Sequence, residues 1–277
     1  MLIIHTNHLS QTQKQEVESL LGSTPYSVAN HYQVDLDDPN MTSVRQLSEN
    51  LKMDINLLPK GFTPSSAKLV ISDMDSTLIG IECVDEIADM VNLKPQVSAI
   101  TEAAMRGELN FESSLTQRVA LLNGLSESAL QKVYDERLFL NPGAEVWLNG
   151  LKERKIPFAL VSGGFTYFTD RLKEQLGIEF TRSNQLEIID GQLTGKIVGS
   201  IIGAEAKAFF LQELCDVLSI DLNQSIAIGD GANDLLMMNE AGLSIAYHAK
   251  PAVQEKASTS LNYSGLDKVL DFVNAEV

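Results

Sequence analysis

Apolar positions along the chain follow two rhythms, and these divide it into parts. Three short unbroken runs, Leu69-Val70-Ile71, Phe158-Ala159-Leu160-Val161 and Ser225-Ile226-Ala227-Ile228, read as strands of the kind buried on both faces in a parallel sheet. Between the first two, residues 83–92, 95–106, 111–123 and 127–136 read as amphipathic helices, with Phe111, Leu115, Val119 and Leu122 on one stripe. An all-helical stretch of that length exceeds an ordinary crossover, so it predicts a helical insertion over about residues 81–142.

Beyond the second run, Asp190-Gly191 supplies the positive φ of a two-residue hairpin turn, predicted to decorate the sheet rather than join any chemistry. Residues 208–218 read as a helix, 242–247 as a last core strand and Leu266–Phe272 as a closing helix. Before the first run, Leu2–Ile4 and 26–36 read as strands, and Gln11–Leu21 and 43–53 as helices. Residues 1–64 therefore form a small α+β module. The stretch from Leu58 to Pro64, with two prolines and a glycine, reads as its linker. The fold class is α/β: a Rossmann-like three-layer parallel sheet over 65–277, carrying the helical insertion.

Composition narrows the setting. At 277 residues, 44% hydrophobic and 21% charged, the chain is long enough for an α/β core plus a smaller part. No apolar run reaches about 18 residues, and the start is too short and uncharged for a signal peptide, which predicts a cytoplasmic protein. Cys83 and Cys215 are too few for a disulfide framework and lack zinc-site neighbours. His5 and His8 read as surface residues and His248 as a loop residue. A net charge of -16 argues against nucleic-acid and anionic-membrane partners, which need a basic face.

Chemistry concentrates at the ends of the three runs. The first ends in Asp73 and Asp75, at the carboxyl edge of an α/β sheet where reactive groups collect. A calcium loop would need Gly and Glu where Leu78 and Val84 stand. The second run ends in Ser162-Gly163-Gly164, a hydroxyl followed by backbone able to approach an anion. The third ends in Gly229-Asp230-Gly231-Ala232-Asn233-Asp234, and Asp234 occupies the third glycine position of a dinucleotide fingerprint, where an acid would face the pyrophosphate, which argues against that reading. Lys207 lies near the start of a helix. Taken singly, Ser162-Gly-Gly reads as a turn and Lys207 as a solvated lysine.

In order and context, these four motifs resemble those of the haloacid dehalogenase superfamily of phosphotransferases. From about Lys68 to Ala257 the chain is similar to the phosphoserine phosphatase family, most specifically in Asp73-Met-Asp-Ser-Thr-Leu-Ile-Gly-Ile-Glu82-Cys-Val-Asp-Glu and in the segment from Met105 through Phe111 to Arg118. The resemblance implies a magnesium-dependent hydrolysis of O-phospho-L-serine that completes serine synthesis. It implies Asp73 as nucleophile and Asp75 as general acid and base. Mg²⁺ would be held by Asp73, Asp75 through its backbone carbonyl, and Asp230, with Asp234 orienting from behind. Ser162, Gly163, Lys207 and Asn233 would contact the phosphoryl group or substrate, Glu82 and Arg118 the serine ammonium and carboxylate, and Met105 and Phe111 its apolar side.

That assignment is chemically sensible, because a zwitterion needs one anion and one planar, bidentate cation. Without the motifs, Arg118 would read as a helix-surface ion pair and Glu82 as a first-turn acid. Met105 and Phe111 could equally be core of the helical cap. The residues alone leave three alternatives open: a phosphotransferase with another acceptor, a phosphatase for another small phosphate, and a non-catalytic amino-acid sensor. For residues 1–64 the sequence favours a structural or dimerising role, with a homodimer as the possible protein partner.

Overall fold

In the computed structural model, which describes residues 1–36, 39–105 and 108–273 apart from the Met105 side chain, two sheets organise the chain. The first contains β1 (Leu2–Ile4), β2 (Tyr26–Val28), β3 (His31–Val34) and β4 (Ile55–Leu57), with α1 (Gln11–Leu21) and α2 (Met41–Leu51) interleaved. It is antiparallel throughout, in order β2-β3-β1-β4, the split β-α-β-β-α-β arrangement of ferredoxin-like modules. Residues 26–36, expected as one strand, form a hairpin in which Ala29 takes a φ of 47°. β4 has only 3 residues, too few for an alternation to stand out.

Period-two alternation gives this small sheet two apolar faces. Leu2, Ile4, Tyr32 and Val34 pack beneath α1 and α2, whereas Ile3 joins the main core. The face turned to the core also carries polar pairs. Asn56 exchanges two hydrogen bonds with the Ser260 backbone, and the Asp54 carboxylate accepts N–H bonds from Asn262, Tyr263 and Ser264. Leu58 and Phe62, in the predicted linker, are buried in the main core. His5, expected at the surface, is 3% exposed and its Nδ1 lies 2.9 Å from Asp271 Oδ2. His31 Nδ1 lies 3.6 Å from Asp271 Oδ1.

The main chain path continues through β5 (Leu69–Ser72), the four helices α3 (Cys83–Met90), α4 (Lys94–Met105), α5 (Phe111–Ala120) and α6 (Ser128–Glu136), then α7 (Ala144–Glu153) and β6 (Phe158–Phe165). It goes on through α8 (Thr166–Leu176), β7 (Phe180–Ile189), β8 (Gln192–Val198), α9 (Ala204–Leu218), β9 (Ser225–Gly229) and α10 (Leu235–Glu240). It closes with β10 (Leu243–Tyr247), α11 (Pro251–Gln254), β11 (Thr259–Leu261) and a 3₁₀ segment over Leu266–Phe272. Thus 242–247 is not the last core strand: β11 pairs parallel outside it, and the closing helix is 3₁₀. Arg106, the expected end of the second inserted helix, lies outside the described residues.

The second sheet has the order β11-β10-β9-β5-β6-β7-β8 and is parallel except for β8. β5 is central, with β6 and β7 on one side and β9, β10 and β11, reached by a return crossover, on the other. The junction of β5 and β9 is a topological switch point, where carboxyl-end loops diverge and leave a crevice. Burial on both faces is visible residue by residue. Val70, Ile226 and Ile228 face one apolar layer with Trp147 and Phe168, while Leu69, Ile71 and Ala227 face another with Leu211 and Met237.

Helices α3 to α6 form the inserted cap. The entering and leaving chains pair at an Ile79↔Leu140 bridge, and Asn141 Nδ2 donates to the Thr77 and Ile79 carbonyls at 2.8 and 3.2 Å. The hinge is thereby tied to the loop that carries the two acids.

Candidate active site

The loop after β5 positions the first pair of carboxylates. Ile79 N–H donates to Met74 O at 3.0 Å, closing a wide turn in which Ser76 takes a φ of 55°. Asp73, at the strand end, receives the Met74 N–H on Oδ1 at 2.7 Å. Asp75 Oδ1 accepts the Cys83 N–H at 3.3 Å, at the first residue of α3. Ser76 Oγ donates to Glu82 Oε1 at 2.7 Å, and Thr77 Oγ1 to Asp230 Oδ1 at 3.2 Å. One turn therefore orients groups from core and cap.

The loop after β9 supplies the next acids. Asp230 follows the strand, and the Asp234 side chain folds back over it, its Oδ2 accepting the Gly231 N–H at 3.0 Å. A Cβ on Gly229 would lie 2.4 Å from Asp234 Oδ2, so only glycine allows this approach. From α9, Lys207 Nζ lies 2.8 Å from Asp73 Oδ1 and 2.6 Å from Asp234 Oδ1, with no exposed surface. Two of its three N–H donors are engaged, leaving one for a third oxygen.

One carboxylate oxygen from each of Asp73, Asp230 and Asp234 lies within 4.8 Å of the others, the one such cluster among the described residues. Three acids around one ammonium leave negative charge in excess, and hard oxygen donors suit a divalent cation, so these residues fit a metal ion. The electrostatics agree. Burial, then Asp234, pushes the Asp73 carboxyl well above its ordinary value against the pull of Lys207. Burial with Asp234 and Glu82 pushes Asp230 up to about 7. For Lys207 burial acts the other way, but the Asp234 and Asp73 carboxylates outweigh it and hold the ammonium charged.

A cavity of about 490 Å³ opens between core and cap above this cluster. Asp73, Asp75, Asp230, Gly163 and Asn233 line it from the core; Glu82, Phe111 and Arg118 line it from the cap side. Burial, then the like charge of Glu82, pushes Asp75 up to about 7. Burial also raises Glu82, while it lowers the Arg118 guanidinium, whose charge Asp85 and Glu82 support. Arg118 Nε is buried without a hydrogen-bond partner. Such an orphan donor is expensive unless a ligand satisfies it.

Ser162 and Lys207 lie just beneath the cavity wall. Ser162 Oγ, fully buried, accepts the Gly164 N–H at 2.7 Å. Gly163 sits under Phe111, and a Cβ there would come within 2.7 Å of the ring. The Met105 side chain, expected at the apolar side, lies outside the described residues. A larger cavity of about 730 Å³, between the small module and the C-terminal segment, contains none of these groups.

Three groups that position the site carry no signal of their own in the sequence. Ser76 orients Glu82, Asn141 pins the hinge, and Asn184, on β7, donates from Nδ2 to Gly163 O and accepts the Ile202 N–H on Oδ1, both at 2.8 Å. The hairpin begun by β7 is thus not mere decoration. Its second strand also holds the cap, since Leu193 and Gly124 and Leu125 exchange backbone hydrogen bonds.

Comparison with known proteins places the chain among relatives of one family and fold. Residues 67–242 match the model of the haloacid dehalogenase-like hydrolases. A phosphoserine phosphatase from a Polaromonas species is 53% identical over 224 residues, 79% of this chain and 95% of that one. The structure of a probable phosphoserine phosphatase from Vibrio cholerae superposes with a TM-score of 0.85 at 35% identity, covering 98% of this chain and 85% of that one. A phosphoserine phosphatase solved as a phospho-aspartyl intermediate analogue superposes with a TM-score of 0.71 at 39% identity, over 75% of this chain and 99% of the other.

Proposed function

We propose that this chain, which belongs to the phosphoserine phosphatases within the haloacid dehalogenase-like hydrolases, hydrolyses O-phospho-L-serine to L-serine and phosphate through an aspartyl-phosphate, the closing reaction of serine synthesis. The observation that carries the reading is the placement of Glu82 and Arg118 in the same cavity as Asp73. One anion and one guanidinium with an orphan donor match a serine ammonium and carboxylate, while the phosphoryl group reaches the acids below.

Asp73 Oδ attacks phosphorus, and the bond to the seryl oxygen breaks as Asp75 gives that oxygen its proton. Asp75, now a carboxylate, takes a proton from water, whose oxygen attacks phosphorus and frees Asp73 with release of phosphate. A carboxyl pushed up to about 7 suits both directions of transfer near neutral pH. Ser162, the Gly163 N–H and the remaining Lys207 donor hold the phosphoryl oxygens, and Asn233 contacts the phosphate or substrate. Phe111 bounds the apolar side.

Mg²⁺ would be held by the Asp73 and Asp230 carboxylates and the Asp75 backbone carbonyl. Both Asp234 oxygens are engaged, by Lys207 and by the Gly231 N–H, which favours an orienting role for that residue. Bound there, the cation supplies the positive charge that Lys207 alone does not, neutralising carboxylate and phosphoryl group together.

Residues 1–64 take a structural role in this reading, beside a catalytic part over 65–277 with its cap over about 81–142; the buried polar contacts of the module favour that role over a dimerising one. The partner is a small molecule, and the location cytoplasmic. No helix of the described residues is long and apolar enough to cross a membrane.

Phosphate release from L-phosphoserine, set beside phosphothreonine, a hexose phosphate and p-nitrophenyl phosphate, tests the proposal. Strong preference for phosphoserine, dependence on Mg²⁺ and loss of activity in Asp73→Asn are expected. Turnover of the nitrophenyl ester alone would keep the chemistry and reject the substrate.

A further inference from the structure

The phosphate-binding loop interrupts its own sheet. Pairing of β6 with β7 passes from Val161↔Arg182 to Phe165↔Asn184, so Ser162, Gly163 and Gly164 bulge out of the ladder. A bulge leaves backbone groups unpaired in a buried place, and something must satisfy them. Asn184, 1% exposed and opposite the bulge, does so: its Nδ2 donates to Gly163 O, and its Oδ1 accepts the Ile202 N–H, each at 2.8 Å. A carbonyl can only accept and an N–H only donate, so the amide has one orientation.

The bond to Gly163 O fixes more than one atom. The peptide that joins Gly163 to Gly164 is planar, with its C=O and N–H pointing in opposite directions. With the C=O turned to Asn184, the Gly164 N–H reaches Ser162 Oγ at 2.7 Å. Because Oγ is already an acceptor there, its own proton is left to donate elsewhere, and successive hydrogen bonds of this kind polarise one another. The other arm of Asn184 holds Ile202, just before Gly203, whose carbonyl accepts the Lys207 N–H at 3.0 Å.

We propose that Asn184 is a positioning residue for phosphoryl transfer: through the Gly163–Gly164 peptide it turns the Ser162 hydroxyl into a donor for the phosphoryl group, and through Ile202 it fixes the start of the helix bearing Lys207. The inference rests on the reading of Ser162 and Lys207 as phosphoryl ligands. It concerns the phosphate end of the substrate only, since Asn184 acts through groups of the core and not through Glu82 or Arg118.

The test uses two probes on the full-length, Mg²⁺-loaded protein: orthovanadate for the phosphoryl site and L-serine for the cap side, both titrated by calorimetry. Asn184→Ala is expected to weaken vanadate and to lower kcat on p-nitrophenyl phosphate about 10- to 100-fold, with L-serine affinity unchanged. In a Ser162→Ala background the same substitution is expected to cost less, because the route through the Gly163–Gly164 peptide is already cut and only the one through Ile202 remains. Asn184→Asp, near in volume, keeps the acceptor for the Ile202 N–H, loses the donor to Gly163 O and adds a charge; with Asn184→Thr, near in volume and uncharged, as its control, it carries the test if the alanine variant does not fold. Unchanged vanadate affinity, parallel weakening of both probes, or an undiminished loss in the Ser162→Ala background would each overturn the proposal. A wild type that binds vanadate yet spares phosphoserine rejects the substrate and leaves the Asn184 result standing.

Discussion

Asp75 faces Glu82 inside a buried pocket and carries two proton transfers in the proposed cycle, one to a poor leaving group and one from water. The two are separable by choice of ester. Nitrophenolate departs without a proton, whereas a seryl oxygen needs one. Asp75→Asn should therefore release about one equivalent of nitrophenolate in a burst and then stall, while phosphoserine turnover falls about 100- to 10,000-fold. Rapid-quench measurement of the first turnover checks this, and steady release without a burst would assign the base to another group. Residues of this kind are legible in sequence, because nothing in a buried strand calls for two acids at its end. Asn184 and Asn141 are not, since an asparagine beside a turn or hinge has many local uses and its partners lie across the fold. His5 was equally opaque. Its partner, Asp271, is 266 positions away.

Cap and core come close where the Phe111 ring lies over Gly163, and the packing there leaves no room for a methyl group. Gly163→Ala should hold α5 away from the phosphate loop and lower kcat/KM on phosphoserine by about 100-fold, because displacements near 1 Å are that costly to an aligned site. The double variant Gly163→Ala, Phe111→Ala should recover part of that loss, as steady-state kinetics would reveal; no recovery would mean that Gly163 matters for its backbone and not for its neighbour. Helical periodicity made the apolar stripe of α5 readable, since Leu115, Val119 and Leu122 are all buried. Its support was not readable. The hairpin of β7 and β8 announces its turn through Asp190-Gly191, but pattern alone does not say that one strand carries a phosphate-loop brace and the other a seat for α5. Similarly, 26–36 hid a hairpin because its turn begins at Ala29, a residue without turn chemistry.

At the level of the molecule, the small module is joined to the catalytic part by polar groups as well as by Ile3, Leu58 and Phe62. Burial alone would raise the Asp271 carboxyl, but the His31 and His5 imidazoles beside it, the second hydrogen-bonded to it, outweigh burial and hold it below the usual range. A depressed pKa contributes stability that is present above the unfolded value, near 3.9, and lost as pH falls through the folded one. Asp271→Asn should thus cost about 1–3 kcal/mol at neutral pH, with the gap to wild type closing below about pH 4. Denaturant titrations across that range check it, and a gap independent of pH would show that the carboxylate is not what matters. The central place of β5 has a further consequence, for the chain as it is made. Synthesis lays down Asp73, the proposed nucleophile, first, yet both neighbours of its strand and every group proposed to hold the phosphate end arrive later, the last of them beside Asp234. A half-made chain therefore carries Asp73 on a bare apolar strand with two open edges, inert toward phosphate esters and in need of shelter from aggregation until β9 has left the ribosome.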